Sequence, residues 1–262
     1  MAKHYQPSAV LRDNAKGFLN GKYGMTVGST FLYLGLYWAL SQIATGVSAF
    51  FEGIFIRSNL VNMSATLVLE FIQLIISAVL TIVLGVVSMG MSFYYLKIGV
   101  GQRPRVSDVF YAFREDFKKS FTASFYVNIL LILSILPAQI IYDIYRNTKD
   151  TKYIIYMIPC VIVGLILYIF FEISLKMTYY IMADFPEYSA WDAVKASWNK
   201  MSGNRMRLFG LMLSLLPYYI LGILSFGVGL FWVFPFAQES YVQFYLDLMN
   251  PKVVTGEWER TV

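Results

Sequence analysis

The chain is poor in the groups on which most soluble chemistry depends. Of 262 residues, one is cysteine (Cys160) and one is histidine (His4). No disulfide can close within the chain, and no Cys/His cluster can be assembled around a metal. Cys160 stands inside an apolar run and reads as a small hydrophobe. Charged residues make up only 14%, against about 25% in an average soluble domain, and that shortfall places the chain among integral membrane proteins. His-Glu-x-x-His, Gly-x-Ser-x-Gly and Gly-x-x-x-x-Gly-Lys motifs are all missing. The expectation is a non-enzymatic protein with no cofactor and no metal. The net charge of +5 is not gathered on one basic face, so nucleic acid is not an expected partner. Residues 1–24 lack the continuous apolar core of a signal peptide, so the first apolar run is expected to be retained.

What the chain does have is apolar length. The hydrophobic fraction is 58%, and six runs approach the roughly 20 residues that a spanning helix needs. They cover 25–51, 64–96, 121–142, 153–175, 208–224 and 228–249. The runs are continuous rather than alternating, which argues for helices and against a strand barrel. Pro137, Pro159, Pro217 and Pro235 fall inside four of them and predict kinks. Most of the 21 Lys and Arg lie in 1–24, 97–120, 176–207 and 250–262, with few in 52–63 and 143–152. The positive-inside rule then predicts a multi-pass plasma membrane protein with both termini cytoplasmic.

A unit recurs along this single membrane domain of residues 1–262. An amphipathic lead-in precedes the first, third and fifth spans, opening at Pro7-Ser8, Pro104-Arg105 and Pro186-Glu187. A serine in each is placed to cap a helix. Val10, Leu11, Phe18 and Leu19 form one apolar face. Val106, Phe110, Phe113 and Phe117 form the second, and Trp191, Val194, Trp198 and Met201 the third. Gly21 and Gly203 are placed to stop two of the lead-ins in a left-handed turn. Tyrosines recur where the return spans meet the inner face: Tyr94-Tyr95, Tyr179-Tyr180, and Tyr241 with Tyr245. Such rings suit the membrane interface. The predicted architecture is all-α, with six transmembrane helices in three parallel repeats of cytoplasmic interfacial helix plus transmembrane hairpin. The repeats run from about 7–97, 104–183 and 186–249, followed by a cytoplasmic tail, 250–262.

The third unit is the most distinctive. It reads Tyr179-Tyr180-Ile181-Met182-Ala183-Asp184-Phe185-Pro186, then Ser189-Ala190-Trp191-Asp192, Gly203-Asn204-Arg205 and Arg207-Leu208-Phe209. Leu221-Gly222 leads through Ser225-Phe226-Gly227-Val228-Gly229 to Pro235-Phe236, Glu239 and Phe244-Tyr245-Leu246-Asp247-Leu248. In these residues the chain resembles the bacterial integral membrane family known as domain of unknown function 975. The resemblance extends over nearly the whole chain and is sharpest from Tyr179 to Leu248. It implies a plasma membrane protein of Gram-positive type with several spanning helices. It implies no activity, and no functional residue is carried across.

Three carboxylates interrupt apolar runs: Glu70, Glu172 and Glu239. A charge at mid-bilayer costs roughly 2.5–3.5 kcal/mol on insertion scales, so each needs a reason. Glu239, with Gln238, Gln243 and the kink at Pro235, is the leading candidate for a polar intramembrane site, set against a structural hydrogen bond between helices. Glu172 has Lys176 four residues later, an ordinary helical pair. Glu70 has Gln73 at i+3. Lys16, Lys22, Arg103, Arg105, Lys118, Lys119, Lys195, Lys200, Arg205 and Arg207 line the basic loops. They are candidates for anionic lipid headgroups at the cytoplasmic face, against the simpler role of setting topology. The functional expectation is an accessory, scaffolding or protective module for a membrane system, with a membrane-protein partner or a second copy of the chain. The alternative is a transporter, channel or lipid-handling protein that uses Glu239.

Overall fold

Apolar runs with no competing partners in lipid close their backbone hydrogen bonds internally, and long helices dominate the computed structural model. It describes residues 3–57, 63–115, 117–250 and 252–253. The helices are α1 (Ser8–Leu19), α2 (Tyr23–Arg57), α3 (Met63–Gly99), α4 (Tyr111–Arg114), α5 (Phe117–Thr148), α6 (Lys152–Leu175), α7 (Thr178–Asp184), α8 (Ala190–Met201), α9 (Arg205–Leu224) and α10 (Leu230–Met249). A 3-10 turn over Val106–Phe110 precedes α4. Two short strands, β1 (Lys3–His4) and β2 (Lys252–Val253), pair antiparallel and bring the two ends of the chain together. The expected tail over 250–262 otherwise lies outside the described residues.

Among the described residues, five helices are long and apolar enough to cross a membrane: Tyr23–Phe55, Val68–Gly99, Phe117–Arg146, Lys152–Asp184 and Arg205–Leu224. The sixth expected span is α10, whose apolar run is interrupted by Gln238, Glu239, Ser240, Gln243 and Asp247. Yet α10 is deeply enclosed, with Glu239, Ser240, Gln243 and Asp247 all buried. It packs on α1, α2, α3 and α9. A helix wrapped by other helices can carry polar groups that a lipid-facing helix cannot. The four prolines all lie inside helices, Pro137 in α5, Pro159 in α6, Pro217 in α9 and Pro235 in α10. α3, with 37 residues, is about 55 Å long at 1.5 Å per residue, well beyond a hydrocarbon core of about 30 Å.

The three lead-ins differ from their expected form in an instructive way. α1 buries Leu11, Ala15 and Leu19, and α8 buries Ala190, Ala193, Val194, Ser197 and Met201. The middle one is broken into the 3-10 turn and α4, and buries Val109 and Ala112. The large rings of the expected apolar faces stay at the rim: Phe113, Phe117, Trp191 and Trp198 are exposed. Small side chains let the helices approach closely, and the rings then have no room beneath. Capping is also uneven. Ser189 accepts the Asp192 N–H at 3.2 Å, but Pro7 rather than Ser8 caps α1 without a side-chain bond. In the middle unit Asp108, not serine, reaches back to the Arg105 N–H at 2.8 Å. Gly21 and Gly203 do take left-handed backbone, at φ 72° and 82°.

Each lead-in rests on a return helix, the first of them on that of the last unit. The 3-10 turn and α4 pack on α3, α8 packs on α5, α6 and α7, and α1 packs on α10. Polar contacts pin these junctions. Lys97 pairs with Asp108 at 3.0 Å. Arg207 pairs with Asp247, which also accepts the Gln6 N–H at 3.2 Å. Arg205 donates to Ser174 at 2.8 Å while its guanidinium lies 4.7 Å from the Phe170 ring centre and 4.8 Å from that of Trp198. Burial would raise the Asp108 carboxyl, but the Arg105 N–H and the Lys97 ammonium outweigh it and hold the group below the usual carboxylate range. Where α3, α7 and α10 meet, Tyr94, Tyr95, Tyr180 and Tyr245 are fully buried, so these tyrosines form core rather than the expected interfacial belt.

Candidate functional site

The long helices leave a space between them. A cavity of about 430 Å³ lies inside the bundle. Its wall takes Tyr33 from α2, Gly85, Ser88 and Ser92 from α3, Asn128 and Leu131 from α5, Tyr168 and Glu172 from α6, and Lys176 from the break between α6 and α7. Tyr179 and Tyr180 of α7, Tyr219 of α9, and Phe234, Gln238 and Tyr241 of α10 also line it. The size and the mixture of apolar wall with a few polar groups are those of a small-molecule site.

The polar groups are held by one another. Lys176 Nζ lies 2.8 Å from Glu172 Oε1 and 5.3 Å from the centre of the Tyr241 ring. Both charged side chains keep about a quarter of their surface accessible, 27% and 26%, although they sit among helices. Both line the cavity, which accounts for accessible area at that depth. On α5, Asn128 donates to the Ser124 carbonyl at 2.8 Å and to Ser124 Oγ at 3.0 Å. Ser124 Oγ donates to the Ile82 carbonyl at 2.6 Å. A Cβ at Gly85 would collide with Ser124 and stand 2.8 Å from the Tyr179 hydroxyl, so glycine sets how near α3 comes to α5. The Tyr180 hydroxyl donates to Gln238 Oε1 at 3.4 Å.

The structure divides the residues expected to form one site. Gln238 lines the cavity. Glu239 and Gln243 turn towards α3 instead: Gln243 donates to Glu239 Oε1 at 2.9 Å, and a Cβ at Gly99 would lie 3.0 Å from that oxygen. Glu239 is fully buried, and its Oε2 has no hydrogen-bond partner among the described residues. Adjacent residues on a helix point about 100° apart, which is why Gln238 and Glu239 serve different neighbours. Glu172 and Lys176 do come together, inside the cavity. Gln73 donates to Glu52 at 2.8 Å and ties α3 to α2, while Glu70 stands half-buried on the same helix.

The basic residues also separate. Arg205 and Arg207 are engaged within the protein, as described above. Lys119 donates to the Pro186 carbonyl at 2.6 Å, and Lys22 reaches the Gln102 carbonyl at 3.5 Å. Arg103, Arg105, Lys118, Lys195 and Lys200 are exposed at the end where the chain termini meet. A second, shallower space of about 460 Å³ opens at that end beside Tyr5, Gln6, Ser8, Arg207 and Phe244. Among the described residues, no group of three or more His, Cys, Asp and Glu is placed to hold a metal.

The cavity tyrosines and Asn128 were missed in the sequence. A tyrosine in a span reads as an interface anchor unless its depth and direction are known. Asn128, a lone amide inside the third apolar run, was the available signal.

The protein family whose description reads "Protein of unknown function (DUF975)" matches residues 5–252. No curated protein and no solved structure matches the chain.

Proposed function

From the premise that this chain belongs to the DUF975 family, a membership shown by a match over residues 5–252, we propose that it is a multi-pass membrane protein that binds and handles a membrane-dissolved small molecule or lipid in its central cavity. The cavity is the observation that carries this reading: about 430 Å³ inside a helical bundle, walled by aromatic rings and holding an accessible ion pair. An ion pair within a membrane bundle is costly, and such groups tend to mark substrate or ion paths. The carboxylate at work is Glu172, on the cavity wall, in place of the expected Glu239. We read α10 as a sixth spanning helix, and the cyclic packing of lead-ins on return helices supports three parallel units. A bacterial plasma membrane with both termini cytoplasmic fits the basic residues gathered where the termini meet. The exposed lysines there would meet anionic headgroups.

The test is to fill the cavity. Ser88→Trp and Leu131→Trp place an indole in the space from two different helices. Native mass spectrometry of protein extracted in mild detergent then reads bound amphiphile, with thermal unfolding as the check on folding. The reading expects a retained small molecule or lipid on the wild type that both folded variants lose. Equal retention on all three would overturn it.

A second reading, as an accessory or scaffold for another membrane protein, is favoured by one observation. The most apolar stretch of α2 has no buried residue, and Trp38, Ile43 and Phe50 stand exposed along it. The same mass spectra would then show a stoichiometric protein partner that survives the filling of the cavity.

A further inference from the structure

We infer that the cavity selects an organic cation with apolar flanks, and that the Lys176 ammonium is a tethered stand-in occupying the cation's place. This rests on the cavity being a binding site.

The observation is the seat of Lys176 itself. Its ammonium lies between a carboxylate oxygen of Glu172 at 2.8 Å and the face of Tyr241 at 5.3 Å. A carboxylate beside aromatic ring faces, away from bulk water, is the chemistry that recognises cations. Further rings from Tyr33, Tyr168, Tyr180 and Tyr219 line the same space. Ring faces are electron-rich, so they extend the favourable field beyond the carboxylate and add apolar contact.

The alternatives fit the wall less well. Glu172 and Lys176 are the two charged residues on it. An anion taking Lys176 would leave the Glu172 carboxylate without its partner beside the incoming negative charge. A cation taking Glu172 displaces the Lys176 ammonium instead, and the Tyr241 ring 5.3 Å from it favours a displaced ammonium as no ring face favours a displaced carboxylate. Lys176 is suited to withdraw: it sits at the break between α6 and α7, and its ammonium rides on a flexible four-carbon stem. Neither helix has to move. Binding is then an exchange of one cation for another at Glu172, and removing the internal competitor should tighten it.

The experiment uses two ions of nearly the same shape and opposite charge, tetraphenylphosphonium and tetraphenylborate. Saturable binding to the full chain in phosphatidylcholine nanodiscs is measured by equilibrium dialysis, with empty nanodiscs subtracted. The wild type should bind the phosphonium saturably and the borate more weakly. Glu172→Gln should weaken phosphonium binding at least about tenfold, and Lys176→Met should strengthen it about tenfold, if the pair has the exchange role assigned here. The double variant Glu172→Gln with Lys176→Met leaves no unpaired charge and should bind neither ion preferentially, which guards against a single variant that fails to fold. A preference for the borate, or loss of phosphonium binding in folded Lys176→Met, overturns the inference. If the Trp variants abolish retained amphiphile but the phosphonium is not preferred, the cavity reading stands and the charge selection falls.

Discussion

Arg207 Nη2 and Asp247 Oδ2 lie 2.6 Å apart and tie the start of α9 to the end of α10. The same carboxylate accepts the backbone N–H of Gln6, and the same guanidinium donates to the Gln6 carbonyl at 3.3 Å. One ion pair thus fastens the N-terminal segment to the last helix. The Asp247 side chain is only 5% exposed, so removing its partner strands a charge. Arg207→Met should cost about 3–5 kcal/mol, the usual penalty for breaking a buried pair. Arg207→Met combined with Asp247→Leu should recover much of that loss. Unfolding in detergent, read as a double-mutant cycle, decides it. Equal destabilisation of the single and double variants would show that the charge was never isolated.

Basic residues at this end should fall into two classes. Arg205 lies against Phe170 and Trp198, which meet edge to face, and donates to Ser174; Arg205→Lys should lose about 1 kcal/mol of stability because a compact ammonium cannot cover both rings and keep that bond. Replacing exposed Arg103, Lys118 and Lys200 together by Gln should leave stability unchanged. It should weaken retention of phosphatidylglycerol by about 1 kcal/mol per residue removed. Thermal unfolding and lipid-binding mass spectrometry on both variants separate the classes. A stability loss in the triple variant would contradict the assignment.

Two glycines should answer oppositely to alanine. A Cβ at Gly90 would run into the Val109 carbonyl of the 3-10 turn, whereas one at Gly17, on the exposed side of α1, meets nothing within 4 Å. Gly17→Ala should stabilise by about 0.5–1 kcal/mol through lower chain entropy. Gly90→Ala should force α3 from the turn and destabilise by about 1–3 kcal/mol, the range for overpacking. Differential scanning fluorimetry of the two variants provides the comparison.

Acid should loosen the same turn. The Asp108 carboxyl is held below its ordinary value, because the Arg105 N–H and Lys97 outweigh burial. A depressed folded value means that its contribution is complete above the unfolded carboxylate value of about 3.9 and is lost as pH falls through the folded one. Stability measured from pH 7 down to 3 should therefore show an acid limb that Asp108→Asn flattens. An unchanged limb in the variant would assign it to other carboxylates.

Composition and run length alone determined that this is a helical membrane protein, because a backbone in lipid has few solutions. The expected spans at 25–51, 64–96, 121–142, 153–175 and 208–224 all fall within long helices of the structure. The left-handed turns at Gly21 and Gly203 were legible too, since few residues other than glycine take that conformation cheaply. Direction was not legible. Gln238 and Glu239 are neighbours in sequence, yet one lines a cavity and the other packs against Gly99. Trp198 was legible as part of the apolar face of an interfacial helix, but not as a partner of Arg205. Tyr180 looked like a lipid anchor and became core. The pair at Glu172 and Lys176 could be read as adjacent from its spacing, but only the packing of several helices set it facing a shared cavity. Periodicity fixes which side chains share a face of one helix; what that face meets depends on close packing among helices far apart in the chain, and small residues such as Ala193 and Gly85 decide it.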